Sequence, residues 1–230
     1  MTEVTRTTLT TVDTLELLGR SELFQGFDQD ALGEVAGAAE VRALRRNDLV
    51  FAESDTPDAL YVVRSGRIAM ANTSVDGRES VIALMEAGDL FGEMPLLDGG
   101  KRSASARALE PSELLSVPYA PVEAVLKARP ELLWGVVRLL SLRLRATDAA
   151  LADSVFLDVT GRTAKRLLEL AGDADEFVLP VTQEELAGMV GASRERVNKA
   201  LSAFIRLGWL EQSERRYRIT DREQLSRRAR

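Results

Sequence analysis

The chain contains no cysteine and no histidine. The first absence excludes disulfides, thiolate nucleophiles and cysteine-based zinc sites. The second removes the side chain that titrates nearest neutrality, and with it the usual haem ligand. An iron–sulfur or haem sensor is therefore disfavoured, since its usual ligands are absent. Aromatic residues are scarce, at 5%, so the core must rest on aliphatic side chains. No apolar run approaches the ~20 residues that a membrane helix needs. The first residues carry no signal-peptide pattern, so a cytoplasmic location without a membrane partner is the expectation. What remains is an ordinary globular mix, 45% hydrophobic and 29% charged over 230 residues, enough for one or two cores.

The net charge of −6 hides a division. Residues 160–230 carry 14 Lys+Arg and 11 Asp+Glu, a sum of +3, and the remainder carries 16 and 25, a sum of −9. A basic C-terminal part on an acidic body is the pattern expected when only one end meets nucleic acid.

One stretch organises the acidic part. Gly88–Asp89–Leu90–Phe91–Gly92–Glu93–Met94–Pro95–Leu96–Leu97 runs on into Asp98–Gly99–Gly100–Lys101–Arg102–Ser103–Ala104. It reads as a strand end, a Gly-Glu turn, a helical turn opened by Pro95, a second glycine turn and an Arg-Ser pair. Gly92 lets backbone approach a ligand closely. Pro95 suits the first helical position, where free N–H groups favour an anion. Arg102 can clamp that anion with two parallel bonds, and Ser103 adds a donor. Glu93 would repel a bare phosphate but suits a sugar hydroxyl. Together these groups describe a sugar phosphate.

Around this stretch, residues 41–115 show short apolar runs at 60–63, 68–71, 81–84 and 114–117. Turn pairs break them at Ser65–Gly66, Asp76–Gly77, Gly88–Asp89 and Gly99–Gly100. Short strands at such spacing predict a barrel or jelly roll. Residues 1–14 read as a Thr-rich mobile tail, with short helices predicted at 15–24 and 31–39. A short helix follows at 121–128, and Pro130–Glu131 opens a long one. In it Leu133, Val137, Leu140, Leu144, Thr147, Leu151 and Ser154 alternate at four and three residues, a coiled-coil seam. Leu132, Val136, Leu139 and Val155 form a second stripe, expected to dock on the β domain. A parallel homodimer follows from the seam.

The C-terminal part carries Thr182–Gln183–Glu184–Glu185, a capping box. A helix is predicted over 183–190, a turn at Gly191–Ala192, and a second helix capped by Ser193. The second helix should bury Val197, Ala200, Leu201 and Phe204 and expose Arg194, Glu195, Asn198, Lys199 and Ser202. That is the helix-turn-helix order. Arg194 or Lys199 can donate to guanine, and Glu195 can accept from cytosine. A hairpin is predicted around 208–219 with its tip, 211–216, as a wing. Arg215, Arg216, Arg227, Arg228 and Arg230 are candidates for phosphate contacts.

The first motif resembles the phosphate-binding cassette of cyclic-nucleotide-binding domains. Gly191–Ala192–Ser193–Arg194–Glu195–Arg196–Val197 resembles the recognition-helix signature of the cAMP receptor protein and fumarate-nitrate regulator (Crp/Fnr) family. The similarity is greatest to actinobacterial cAMP-responsive members, and it also covers a hinge at 156–162. The resemblance implies an α+β fold: a cyclic-nucleotide-binding β-roll (jelly roll) at 15–129, a dimerisation helix at 130–157 and a winged helix-turn-helix domain at 158–230. It implies a ligand-binding set of Gly92, Glu93, Met94, Arg102, Ser103, Arg143, Thr147 and Asp148. In that set Glu93 binds the ribose 2′-OH, Arg102 and Ser103 hold the cyclic phosphate, and the Thr147–Asp148 region meets the purine. It implies a DNA-reading set of Ser193, Arg194, Glu195, Asn198 and Lys199. The implied ligand is cAMP, with cGMP or c-di-GMP as alternatives and no metal. The implied partners are double-stranded DNA at a pseudo-palindromic site, a second copy of the chain, and RNA polymerase. Asp148 departs from the Ser or Asn of cAMP-binding members, and its carboxylate can accept from adenine or from two adjacent guanine N–H groups. A regulator needing no ligand, a scaffold built on the coiled coil, and a nucleotide hydrolase using Glu93 and Asp98 are the rival readings. The hydrolase is disfavoured by the lack of His and of a closer carboxylate pair.

Overall fold

The structure is a computed structural model and describes residues 11–73 and 79–230. The described residues of Met1–Asn72 with Ala83–Leu144 form one compact unit, and those of Thr73–Ile82 with Arg145–Arg230 form another.

The first unit opens with helices α1 (Thr11–Arg20) and α2 (Gln29–Ala36), joined through a short 3₁₀ turn at Glu22–Phe24. The tail expected over 1–14 is thus helical from Thr11, and its remainder lies outside the described residues. Asp28 starts α2 by accepting from the Ala31 amide, with Arg129 beside it, and both interactions hold its carboxyl below the usual range.

Eight strands follow: β1 (Glu40–Leu44), β2 (Leu49–Phe51), β3 (Ala59–Ser65), β4 (Ile68–Thr73), β5 (Glu79–Met85), β6 (Leu90–Phe91), β7 (Ser105–Ala108) and β8 (Ser112–Pro118). They form two four-stranded sheets, ordered β1-β8-β3-β6 and β2-β7-β4-β5. All four expected strands are present. The unforeseen ones are short or built from small and charged residues, so they carry little apolar signal.

Strand β3 explains the layering. Ala59, Tyr61 and Val63 face the second sheet, among Phe51, Ile68, Phe91, Ala106 and Leu114. Leu60 and Val62 point the other way, into a helical layer with Leu18, Phe24, Val35, Val125 and Leu139. A strand buried on both faces reads as a continuous apolar run rather than an alternating one. The helical layer is completed by α4 (Tyr119–Ala128) and by the start of α5 (Leu133–Phe156). On α5, Val136 and Leu139 are buried as expected. Val155 is not: it falls in the second unit and is 67% exposed.

The second unit holds α6 (Val159–Ala171), β9 (Glu176–Val178), α7 (Gln183–Val190), α8 (Arg194–Arg206), β10 (Leu210–Ser213), β11 (Arg216–Ile219) and α9 (Arg222–Arg228). Its sheet runs β10-β11-β9. Leu167, Leu186, Val197, Leu201, Phe204, Tyr217 and Leu225 supply buried apolar positions in it. Strand β9 was not foreseen, and α6 begins inside the expected hinge of 156–162 because Asp158 caps it, accepting from the Gly161 amide at 2.8 Å.

Candidate functional site

Strand β6 delivers the chain to Gly92, whose φ of +78° belongs to the left-handed region. A Cβ there would lie 2.8 Å from Arg102 Nη1, so only glycine fits beside that guanidinium. Helix α3 (Met94–Asp98) then begins at Met94, which puts Pro95 second rather than first. Gly99 closes it with φ +70° and returns the chain to Arg102.

Arg102 is the best-buried cation of the set, with 2% of its side chain exposed. Its Nη1 donates to the Gly92 carbonyl at 2.8 Å and to the Tyr119 hydroxyl at 2.9 Å. Its Nη2 donates to the Ala59 carbonyl at 2.7 Å, with Asp58 at 3.8 Å. The guanidinium carbon lies 4.1 Å from the centre of the Phe51 ring, which suits its planar charge. The expectation of an open clamp is therefore corrected in detail, since most of this fork is already committed to protein. One N–H, at Nε, is buried with no acceptor among the described residues.

Glu93 is 1% exposed. Its Oε1 lies 3.1 Å from Arg143 Nε, an ion pair without the alignment of a hydrogen bond. Burial pushes its carboxyl upward, and Arg143 pulls it partly back. Arg143 also donates to the Leu90 carbonyl at 2.7 Å, so α5 is tied to the strand that leads into the turn. Ser103 is exposed, its hydroxyl 3.8 Å from Met94 Sδ. Gly92, Glu93, Met94, Arg102, Ser103 and Arg143 are thus brought together. Thr147 and Asp148 continue α5 one turn further and are exposed.

These residues fit a cyclic phosphodiester. A buried donor without a partner costs about 1–3 kcal/mol, and a phosphate oxygen would supply the acceptor. The sequence could not show Phe51, Ala59, Tyr61 and Tyr119 around Arg102, since they are distant in the chain and belong to no motif. Among the described residues no group of His, Cys, Asp or Glu could hold a metal ion. No helix there is long and apolar enough to cross a membrane.

In the second unit, α7 begins at the capping box. Thr182 Oγ1 accepts from the Glu185 amide at 3.1 Å, and Glu185 Oε2 accepts from the Thr182 amide at 2.7 Å. Gly191, at φ +68°, ends the helix, and Ser193 caps α8. Val197, Ala200, Leu201 and Phe204 are buried; Ser193, Arg194, Glu195, Lys199 and Ser202 are exposed. Lys199 pairs with Glu195 at 2.8 Å, holding that carboxyl below its usual range. Asn198 differs from expectation. It is half-buried, and its Oδ1 is withdrawn from solvent without a partner among the described residues.

The wing hairpin is tighter than expected, turning at Glu214–Arg215 between β10 and β11. Several expected phosphate-facing arginines have structural work instead. Arg215 donates to the Leu179 carbonyl at 2.9 Å. Arg227 pairs with Glu223, and Arg228 holds Asp158 at the start of α6. Arg216 and Arg230 remain exposed.

Residues 41–129 match the cyclic nucleotide-binding domain, and residues 161–228 match the Crp-like helix-turn-helix domain. The chain is 38% identical to the CRP-like cAMP-activated global transcriptional regulator of Mycobacterium tuberculosis, over 94% of this chain and 99% of that protein. It is similar to the crystal structure of the Thermus thermophilus catabolite activator protein, at 32% identity and a TM-score of 0.52, covering 91% of this chain and 98% of that one. It is also similar to CLP, a c-di-GMP responsive global regulator of Xanthomonas campestris, at 25% identity and a TM-score of 0.72, covering 84% and 99%. A nucleotide cassette in one unit, a helix-turn-helix in the other and a full-length relative at this identity place the chain in the Crp/Fnr family of cyclic-nucleotide-responsive, DNA-binding transcription regulators.

Proposed function

We propose that this regulator is a homodimer that takes cAMP at the cassette and reads a pseudo-palindromic DNA site. The observation that carries the ligand reading is the buried Arg102 beside Gly92, with one N–H lacking an acceptor. It is supported by the full-length likeness to a cAMP-activated relative. In this reading Arg102 and Ser103 hold the cyclic phosphate, and backbone at Gly92 and Met94 lines it. Glu93, steadied by Arg143, accepts from the ribose 2′-OH. Thr147 and Asp148 meet the purine. Domains fall at 15–129, 130–157 and 158–230, and the exposed seam of α5 pairs two chains. Two copies of α8 then read half-sites about one duplex turn apart, with Arg194, Glu195 and Lys199 toward base edges. RNA polymerase is the further partner. The protein acts by binding rather than by catalysis, in the cytoplasm. Ligand control follows when cAMP binds the DNA-competent arrangement more tightly than the other.

A second reading takes a guanine nucleotide, cGMP or c-di-GMP, and rests on Asp148. Its exposed carboxylate can accept from two adjacent guanine N–H groups, which adenine lacks. Calorimetry with cAMP, cGMP and c-di-GMP on the wild type and Asp148→Asn decides between the two. Tight cAMP binding with a preference that the substitution leaves unchanged supports cAMP. Tighter binding of a guanine ligand, lost in Asp148→Asn, overturns it.

A further inference from the structure

Tyr119 opens α4, far in sequence from the cassette, and no motif contains it. Its amide donates to the Asp58 carbonyl at 3.0 Å, which fixes the residue at the end of β8. Its hydroxyl donates to the Gly92 carbonyl and accepts from Arg102 Nη1 at 2.9 Å. Arg102 Nη1 donates to that same Gly92 carbonyl at 2.8 Å. Three groups therefore close a ring: the guanidinium, the phenol, and the backbone of the turn that must approach the ligand.

The ring settles which way the fork points. A guanidinium has five N–H donors. Nη1 serves both acceptors of the ring, and Nη2 donates to the Ala59 carbonyl. The Nε–Nη2 edge is the least committed: Nε has no acceptor among the described residues, and beyond Ala59 the Nη2 group has only the exposed Asp58 carboxylate, 3.8 Å away. That edge is the side-on fork that matches two oxygens of one anion.

Resting on the reading that the cassette binds a cyclic nucleotide, we propose that Tyr119 is a positioning residue for the phosphate arginine. It occupies the Nη1 side of Arg102 and so aims the Nε–Nη2 edge at the phosphate, without touching the nucleotide. The phenol is suited to this task. Burial raises its pKa to about 12, with Arg102 partly opposing the rise, so the proton given to Gly92 is kept at any working pH. Phe51 and Tyr61 flank the guanidinium through their rings, which can hold its plane but not its rotation within that plane. In-plane hydrogen bonds do the latter, at Nη1 to the Tyr119 hydroxyl and the Gly92 carbonyl and at Nη2 to the Ala59 carbonyl.

The test is Tyr119→Phe, which keeps the ring and removes the hydroxyl, with Tyr217→Phe in the second unit as the control. Binding of cAMP and of its two phosphorothioate diastereomers is measured by calorimetry. Each diastereomer replaces one exocyclic oxygen by sulfur, so their affinity ratio reports how firmly the fork is aimed. The Nε–H signal of Arg102 is followed by ¹⁵N NMR with no nucleotide added. In Tyr119→Phe we expect about tenfold weaker cAMP binding, a diastereomer ratio at least threefold nearer to one, and a displaced Nε–H signal. Tyr217→Phe should leave all three unchanged. Weaker binding with an intact ratio would mean a structural role alone and overturns the proposal, as does an unmoved Nε–H signal. Should the wild type bind no cyclic nucleotide, the ligand reading falls, while the NMR comparison still decides whether Tyr119 orients Arg102.

Discussion

Replacing Leu144 by glutamate tests the two-chain arrangement at its centre. Five apolar members of the α5 seam stand open on the single chain: Leu133, Val137, Leu140, Leu144 and Leu151. Leu144 is 61% exposed. Fully burying a leucine stabilises by about 1.5–3 kcal/mol, so covering this one contributes about 1–2 kcal/mol. In the proposed parallel dimer the position meets its own counterpart, which doubles the loss to about 2–4 kcal/mol. Two carboxylates would also be placed face to face. A total near 4 kcal/mol raises the dimer dissociation constant by about a thousandfold. Sedimentation velocity over a dilution series reads this directly. Leu142→Glu is the matched control: it lies on the opposite side of the same helix, is 45% exposed, and should leave the dimer intact. A wild type that sediments as a monomer at tens of micromolar, or a Leu144→Glu dimer as tight as the wild type, would refute the reasoning.

Three further outcomes follow from the geometry. Gly92→Ala should cost about 2 kcal/mol of stability in chemical denaturation and weaken nucleotide binding. It forces an alanine to φ +78° and sets a methyl 2.8 Å from Arg102 Nη1. Glu93→Gln should change how stability depends on pH. Burial raises the folded-state pKa of Glu93 above the ordinary 4.5, so the folded protein binds the extra proton just above that pH. The wild-type melting temperature minus that of Glu93→Gln should therefore fall as pH rises through that window, and a flat difference would count against it. Thr182→Ala should cost about 1 kcal/mol through loss of the capping box, read as a lower melting temperature.

The second unit was largely legible in the sequence because its signals are local. Thr182 with Glu185, Gly191 and Ser193 each act within three or four residues, and α7 starts and stops where they say. The cassette was legible for the same reason, as glycines and a proline punctuate it. What escaped depends on residues distant in sequence. The partners of Arg102 at Ala59 and Tyr119 lie 43 and 17 positions away. Strand β7, Ser105–Ala108, has only small residues and an arginine, so nothing marks it as a strand until β2 and β4 pair with it. Arg228 read as a candidate phosphate contact, and the sequence could not show that α9 brings it to Asp158. Val155 fitted a helical stripe, but a stripe says nothing about where a docking surface ends.

The most direct measurement is the selection of bound fragments from a random DNA pool, run without nucleotide and with cAMP, cGMP or c-di-GMP. Enrichment of a pseudo-palindrome with half-sites one helical turn apart, present with cAMP and absent or much weaker without it, is the expected result. Enrichment that no nucleotide alters, or none at all at low salt where phosphate contacts are strongest, would contradict the link between the Arg102 cassette and the α8 reading head.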